Sequence, residues 1–64
     1  MKGQIESYSR KFHAGFITPK GGGESVLFTL NAVVGGREPI SGESVDYDLY
    51  AQGPTPEAKR VVLG

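Results

Sequence analysis

Val45, Tyr47 and Leu49 alternate strictly with Asp46, Asp48 and Tyr50. Successive side chains of a strand point to opposite faces. The run is therefore predicted as a β-strand with Val45, Tyr47 and Leu49 turned inward and its two aspartates in water. The chain must bury one face of a sheet, and it has little material to do so. Its 64 residues leave room for one domain, spanning 1–64. A chain this short buries only ~60% of the surface it exposes when unfolded, so nearly every large apolar residue is needed in one core. No cysteine is present to staple that core.

Ten glycines and four prolines cut the remainder into short segments. Gly3–Arg10 reads as a first strand, with Ile5 and Ser7 on one side and Gln4, Glu6 and Tyr8 on the other. Phe12–Lys20 reads as a second. Gly15 within it marks a bend or a close backbone approach, and Pro19 ends it because proline cannot donate a ladder hydrogen bond. Lys20-Gly21-Gly22-Gly23-Glu24 forms a hairpin loop, without the Lys-Ser/Thr pair of a nucleotide-binding loop. Ser25–Leu30 is the third strand, with Val26 and Phe28 on one face and Leu27 and Thr29 on the other. Asn31–Val34 forms a short helical turn, and Gly35–Gly42 has loop composition, with Ile40 expected to plug the barrel end. Gln52–Pro56 is a loop. Thr55-Pro56-Glu57 has the form of a helix start, but too few residues follow it. Val61-Val62-Leu63 favours a fifth strand over about 58–63, with Ala58 and Val61 inward. Five short strands with a long connection after the third predict a five-stranded antiparallel Greek-key barrel, an OB-fold. Ile5, Ile17, Val26 and Phe28 fill it, while Tyr8 and Phe16 look outward.

Seven basic and seven acidic residues balance, which argues against strong nonspecific phosphate binding but leaves room for a local basic patch. The start Met1-Lys2-Gly3-Gln4 lacks the apolar run of a signal peptide, and no stretch is long enough to span a bilayer. A cytoplasmic protein with no membrane partner is expected. A single histidine and no cysteine give little support to a metal site. With no nucleophile–base pair and no cofactor loop, neither an enzyme nor a cofactor is expected. Asp46 and Asp48 read as a solvated face, and Lys59 and Arg60 as edge protection before phosphate contacts.

The runs also carry a family resemblance. Gly15-Phe16-Ile17-Thr18-Pro19 resembles the first ribonucleoprotein motif of the bacterial cold-shock proteins, Lys-Gly-aromatic-Gly-Phe-Ile before Thr-Pro. Val26-Leu27-Phe28-Thr29-Leu30-Asn31-Ala32-Val33 is similar to their second motif, Val-Phe-Val-His-Phe followed by Ser-Ala-Ile. Gly42-Glu43-Ser44-Val45-Asp46-Tyr47 resembles their Gly-Gln-x-Val-x-Phe strand. Gly53-Pro54 and Pro56-Glu57-Ala58 are similar to their last loop and strand entry. The likeness runs from Gly3 to Leu63.

In that family, single-stranded RNA or DNA binds the outer face of the first three strands. Bases stack on exposed rings while lysines meet the backbone. Position by position, the family's first-strand Trp-Phe pair falls on Ser7 and Tyr8, and its outward aromatics of the second strand on Ala14 and Phe16. Its third-strand Phe, His and Phe fall on Leu27, Thr29 and Leu30, its first-strand lysine on Glu6, and its Lys-Gly on Phe12-His13. Only Tyr8 and Phe16 keep a ring. At ~1 kcal/mol per base, the platforms lost at Ser7, Ala14, Leu27, Thr29 and Leu30 remove about 5 kcal/mol, nearly four decades of affinity.

The resemblance thus implies weak, RNA-chaperone-like binding of single-stranded RNA or DNA with little sequence preference. Tyr8 and Phe16 would be platforms, with Phe12 and His13 as auxiliaries beside Leu27, Thr29 and Leu30. Arg10, Lys11 and Lys20 would meet phosphates. Other placements remain open: Tyr8 at the barrel edge, His13 as a plain loop residue, and Phe16 in the core if the register slips by one. Exposed together, Leu27, Leu30, Tyr8 and Phe16 would form an apolar patch for a protein partner or a homodimer instead.

Overall fold

The computed structural model describes residues 1–50 and 54–64. Five strands follow in order: β1 (Lys2–Ser9), β2 (Ala14–Pro19), β3 (Val26–Thr29), β4 (Ser44–Tyr50) and β5 (Glu57–Leu63). A 3-10 turn, Leu30–Ala32, leaves β3. The strands close into a barrel in the order β1-β2-β3-β5-β4, with β4 returning to β1. All pairings are antiparallel except β3 with β5. This is the predicted OB-fold. The expected strands lie within two residues of those observed. Residues 52 and 53 of the loop expected at 52–56, and with them the glycine of the Gly53-Pro54 likeness, lie outside the described residues.

The alternation in β4 works as read for Val45 and Tyr47, which are buried. With Ile5, Ile17, Val26, Phe28, Val33, Ala58 and Val61 they form the core. Leu49 departs from the expectation: at the barrel rim it is 41% exposed. Ala58 and Val61 both face inward although they lie three positions apart. The β4–β5 register supplies the reason, because Asp48 pairs with Arg60 while Leu49 pairs with Ala58. Lys59 is the extra residue of a β-bulge, which shifts the alternation by one.

Gly15 lies at a close approach of β1 and β2. A Cβ there would run into the Ser7 carbonyl oxygen and lie 2.9 Å from Tyr8 Cα and 3.1 Å from Phe28 Cε1. Only a residue without a side chain lets the sheet coil this sharply.

The long β3–β4 connection is fastened at both ends. Val34 N–H donates to the Val61 carbonyl at 2.8 Å, and Gly42 N–H to the Ile5 carbonyl at 2.7 Å. Ile40 does not plug the barrel end: it is 68% exposed, and its neighbour Pro39 is buried instead. Proline's locked backbone suits a cap that has no ladder to join.

Candidate functional site

The outer face of β1–β3 is ordered by cross-strand rows. Ser7, Phe16 and Leu27 form one row, and Ser9, Ala14 and Thr29 the next. Phe16 faces outward as expected and is 39% exposed. Its neighbour on one side is a serine, so that flank of the ring is open. On the other side Leu27 is half-buried. Phe16 is the one aromatic ring in these rows.

Tyr8 does not join it. The pairing runs Ile5 with Ile17, then Ser7 with Phe16, then Tyr8 with Gly15. Glu6 is therefore the extra residue of a second bulge. Both Glu6 and Ser7 point outward, and Tyr8 returns to the inner face. Its ring stacks on the buried Phe28 at 6.1 Å between centroids and 19° between planes. The Tyr8 hydroxyl donates to Glu38 Oε2 at 3.1 Å. Desolvation, with help from the Glu38 hydrogen bond, pushes this phenol above its ordinary range. The outward placement expected of Tyr8 is corrected to the barrel edge. Strict period-two reading fails here because a bulge leaves no mark in the apolar pattern.

The β1–β2 turn supplies a second ring. Phe12 is 73% exposed, with Lys11 Nζ 5.6 Å from its ring centre. Its N–H donates to Ser9 Oγ at 3.3 Å. His13 adopts a left-handed backbone, φ 54°, and its carbonyl accepts the Leu30 N–H at 2.8 Å. Together with Thr29, Leu30 and Asn31, these two residues line a cavity of about 260 Å³. That lies below the ~300–1,000 Å³ of small-molecule sites and suits the edge of one flat ring. The structure thus brings Phe12, His13, Thr29 and Leu30 together, adjacent to Phe16 and Leu27 across β2 and β3. Leu30 also packs against the core, so the side-by-side apolar patch expected of Leu27 and Leu30 shrinks.

The cations divide. Arg10 Nε lies 3.4 Å from Glu38 Oε1, so Glu38 ties both Arg10 and Tyr8 to the long connection. Lys2, Arg37 and Arg60 also pair with carboxylates. Lys11 and Lys20 have no ion pair among the described residues. Lys20 sits beyond the far end of β2, roughly 20 Å from the Phe12 end at ~3.3 Å per residue. There it lines a separate groove of about 550 Å³ with Lys2, Gln4, Thr18 and Ser44. Of the three expected phosphate contacts, only Lys11 is both unpaired and beside the rings.

Glu6 lies on the same outer face. Its Oε1 accepts from Thr18 Oγ1 at 3.0 Å and from Ser25 Oγ at 2.6 Å. These bonds, Ser25's foremost, hold the carboxyl below its ordinary range. Glu6, Glu38 and Asn31 are site residues that sequence reasoning missed in these roles. Their partners come from other strands, so only the register reveals them. Asp46 and Asp48 pair with Lys2 and Arg60. Among the described residues there is no group of three or more metal-ligating side chains, and no helix is long and apolar enough to cross a membrane.

No protein-family model matches the chain. Over 60 residues, 94% of its length, it is 38% identical to a cold shock domain-containing protein of Drosophila melanogaster. The chain spans 42% of that relative's length. The likeness supports a cold-shock domain, while the bacterial character of the resemblance gains nothing from an insect relative.

Proposed function

We propose that the chain is a cold-shock domain that binds single-stranded RNA or DNA through the outer face of β1–β3 and the β1–β2 turn. Phe16 is the stacking platform. Phe12 and His13 flank the adjoining cavity, Thr29 and Leu30 wall it, and Lys11 meets a phosphate. Binding is weak, because stacking of about 1–3 kcal/mol per base is available at one or two rings only. It is broad, because every base has a face to stack. A role in keeping RNA unpaired is what the family likeness implies, and the cytoplasm is the proposed setting. The observation that carries the reading is an open ring in the middle of the three-stranded face, beside a ring-sized cavity and an unpaired lysine. Self-association through Leu27 and Leu30 has less to stand on, since both are half-buried.

Fluorescence anisotropy with labelled oligouridine and oligothymidine tests this. Near-millimolar to micromolar binding is expected, with a salt slope of about −0.7, the value for the one phosphate contact at Lys11. No binding at millimolar strand and low salt would overturn the reading.

A further inference from the structure

The outer face of β1–β3 carries an anchored carboxylate, Glu6. Because the bulge turns both Glu6 and Ser7 outward, Glu6 stands beside the Phe16 row. It reaches Thr18, two residues and ~7 Å along β2 from Phe16. Both of its hydrogen bonds fall on Oε1. Oε2 has no protein partner among the described residues. Hydroxyls from two different segments fix the side chain, so a ligand meets an acceptor that is already ordered and loses little side-chain entropy in engaging it.

Resting on the nucleic-acid reading above, we propose that Glu6 Oε2 makes one subsite of this face discriminate among bases, in favour of guanine. An ionised carboxylate only accepts hydrogen bonds. A base stacked on Phe16 lays its Watson–Crick edge along the sheet surface, where single strands are read. Guanine turns two adjacent donors to that edge, N1–H and N2–H, and the lone pairs of Oε2 take both. Adenine and cytosine offer one exocyclic amine beside an acceptor nitrogen. Uracil and thymine offer N3–H between two carbonyl oxygens, which the charge repels. Hydrogen bonds to an ionised group are the strong ones. A lysine at this position would meet phosphate whatever the base. Glu6 gives up that general attraction and gains selectivity at one position of an otherwise tolerant surface.

The test is anisotropy with RNA heptamers of uridine carrying G, A, C or U at the centre, against the wild-type protein, Glu6→Gln and Glu6→Ala. The wild type binds the guanine heptamer about tenfold tighter than the uridine one, with adenine and cytosine between. In both variants the ratio falls to within about twofold, while uridine binding is unchanged or tighter. Ser25→Ala, which keeps the carboxylate and frees its position, lowers the ratio part way. Melting curves verify that these exposed-site variants stay folded. Equal binding of all four heptamers by the wild type, or a guanine preference that survives both Glu6 variants, overturns the inference and leaves the nucleic-acid reading standing. Failure of every heptamer to bind at millimolar concentration takes both down.

Discussion

Truncating Phe16 and Tyr8 separately distinguishes interface from core. Phe16 lies outside the core cluster, and its main cross-strand partner is Leu27. Such a pair contributes about 0.2–1 kcal/mol, so Phe16→Ala leaves stability nearly intact. Binding falls by the value of one stacked base, about 1–3 kcal/mol, or roughly 5- to 150-fold in Kd. Tyr8→Ala does the reverse. It removes a ring stacked on Phe28 and a hydroxyl bonded to Glu38. An aromatic pair is worth about 0.5–1.5 kcal/mol beyond its buried area. The bond to Glu38 is open to solvent and adds little to this. With the partly buried ring itself, the loss is about 2–3 kcal/mol. That is much of the ~3–10 kcal/mol expected of a domain this size, and it lowers Tm by about 10 °C or more. Kd, measured by anisotropy at a temperature where the variant is folded, changes less than about threefold. A stable Tyr8→Ala protein that loses as much binding as Phe16→Ala would show that Tyr8 is a platform and that the Glu6 bulge is misplaced.

Gly15→Ala forces a Cβ into the Ser7–Tyr8 backbone and costs about 1–3 kcal/mol or more, as overpacking does; urea denaturation measures it. Glu6 and Glu43 have lowered pKa values, Glu6 chiefly through Ser25 and Glu43 chiefly through Arg37. Their contribution to stability is complete above the unfolded value of 4.5 and is lost as pH falls through the lower folded values. Melting temperature measured downward from pH 6 should therefore drop below that point, and less steeply in Glu43→Gln. Tyr8 and Tyr47 have raised pKa values, both through desolvation first. The neutral phenols hold full stability below the unfolded value of 10.0, and it is lost as pH rises past it. Tyr8→Phe should soften this alkaline loss, read by the same melts.

The barrel was legible in the sequence because its signals are local. Val45 and Tyr47 alternate with aspartates, Gly15 interrupts a strand, and Pro19 stops one. Ile5, Ile17, Val26 and Phe28 face inward as their positions indicate. What was not legible depends on an added residue. The bulge at Glu6 moves Tyr8 from the outer face to the edge of the core, and the one at Lys59 lets Ala58 and Val61 share a face. Neither bulge changes the composition of its strand. Glu38 and Pro39 likewise read as ordinary loop residues. Only the path of the long connection brings Glu38 to Tyr8 and Arg10, and turns Pro39 inward where Ile40 was expected. Ionic partnerships were hidden for the same reason: Arg10 reads as a free cation until Glu38 arrives from 28 positions away.

An NMR titration of the labelled protein with a uridine heptamer tests the proposed interface most directly. Amide shifts are expected at Ser7, Phe16 and Leu27 and around the cavity from Phe12 and His13 to Thr29–Asn31, with Val45–Asp48 unmoved. Shifts confined to the Lys2–Lys20–Ser44 groove or to β4 and β5 would place the strand on another surface and contradict the account.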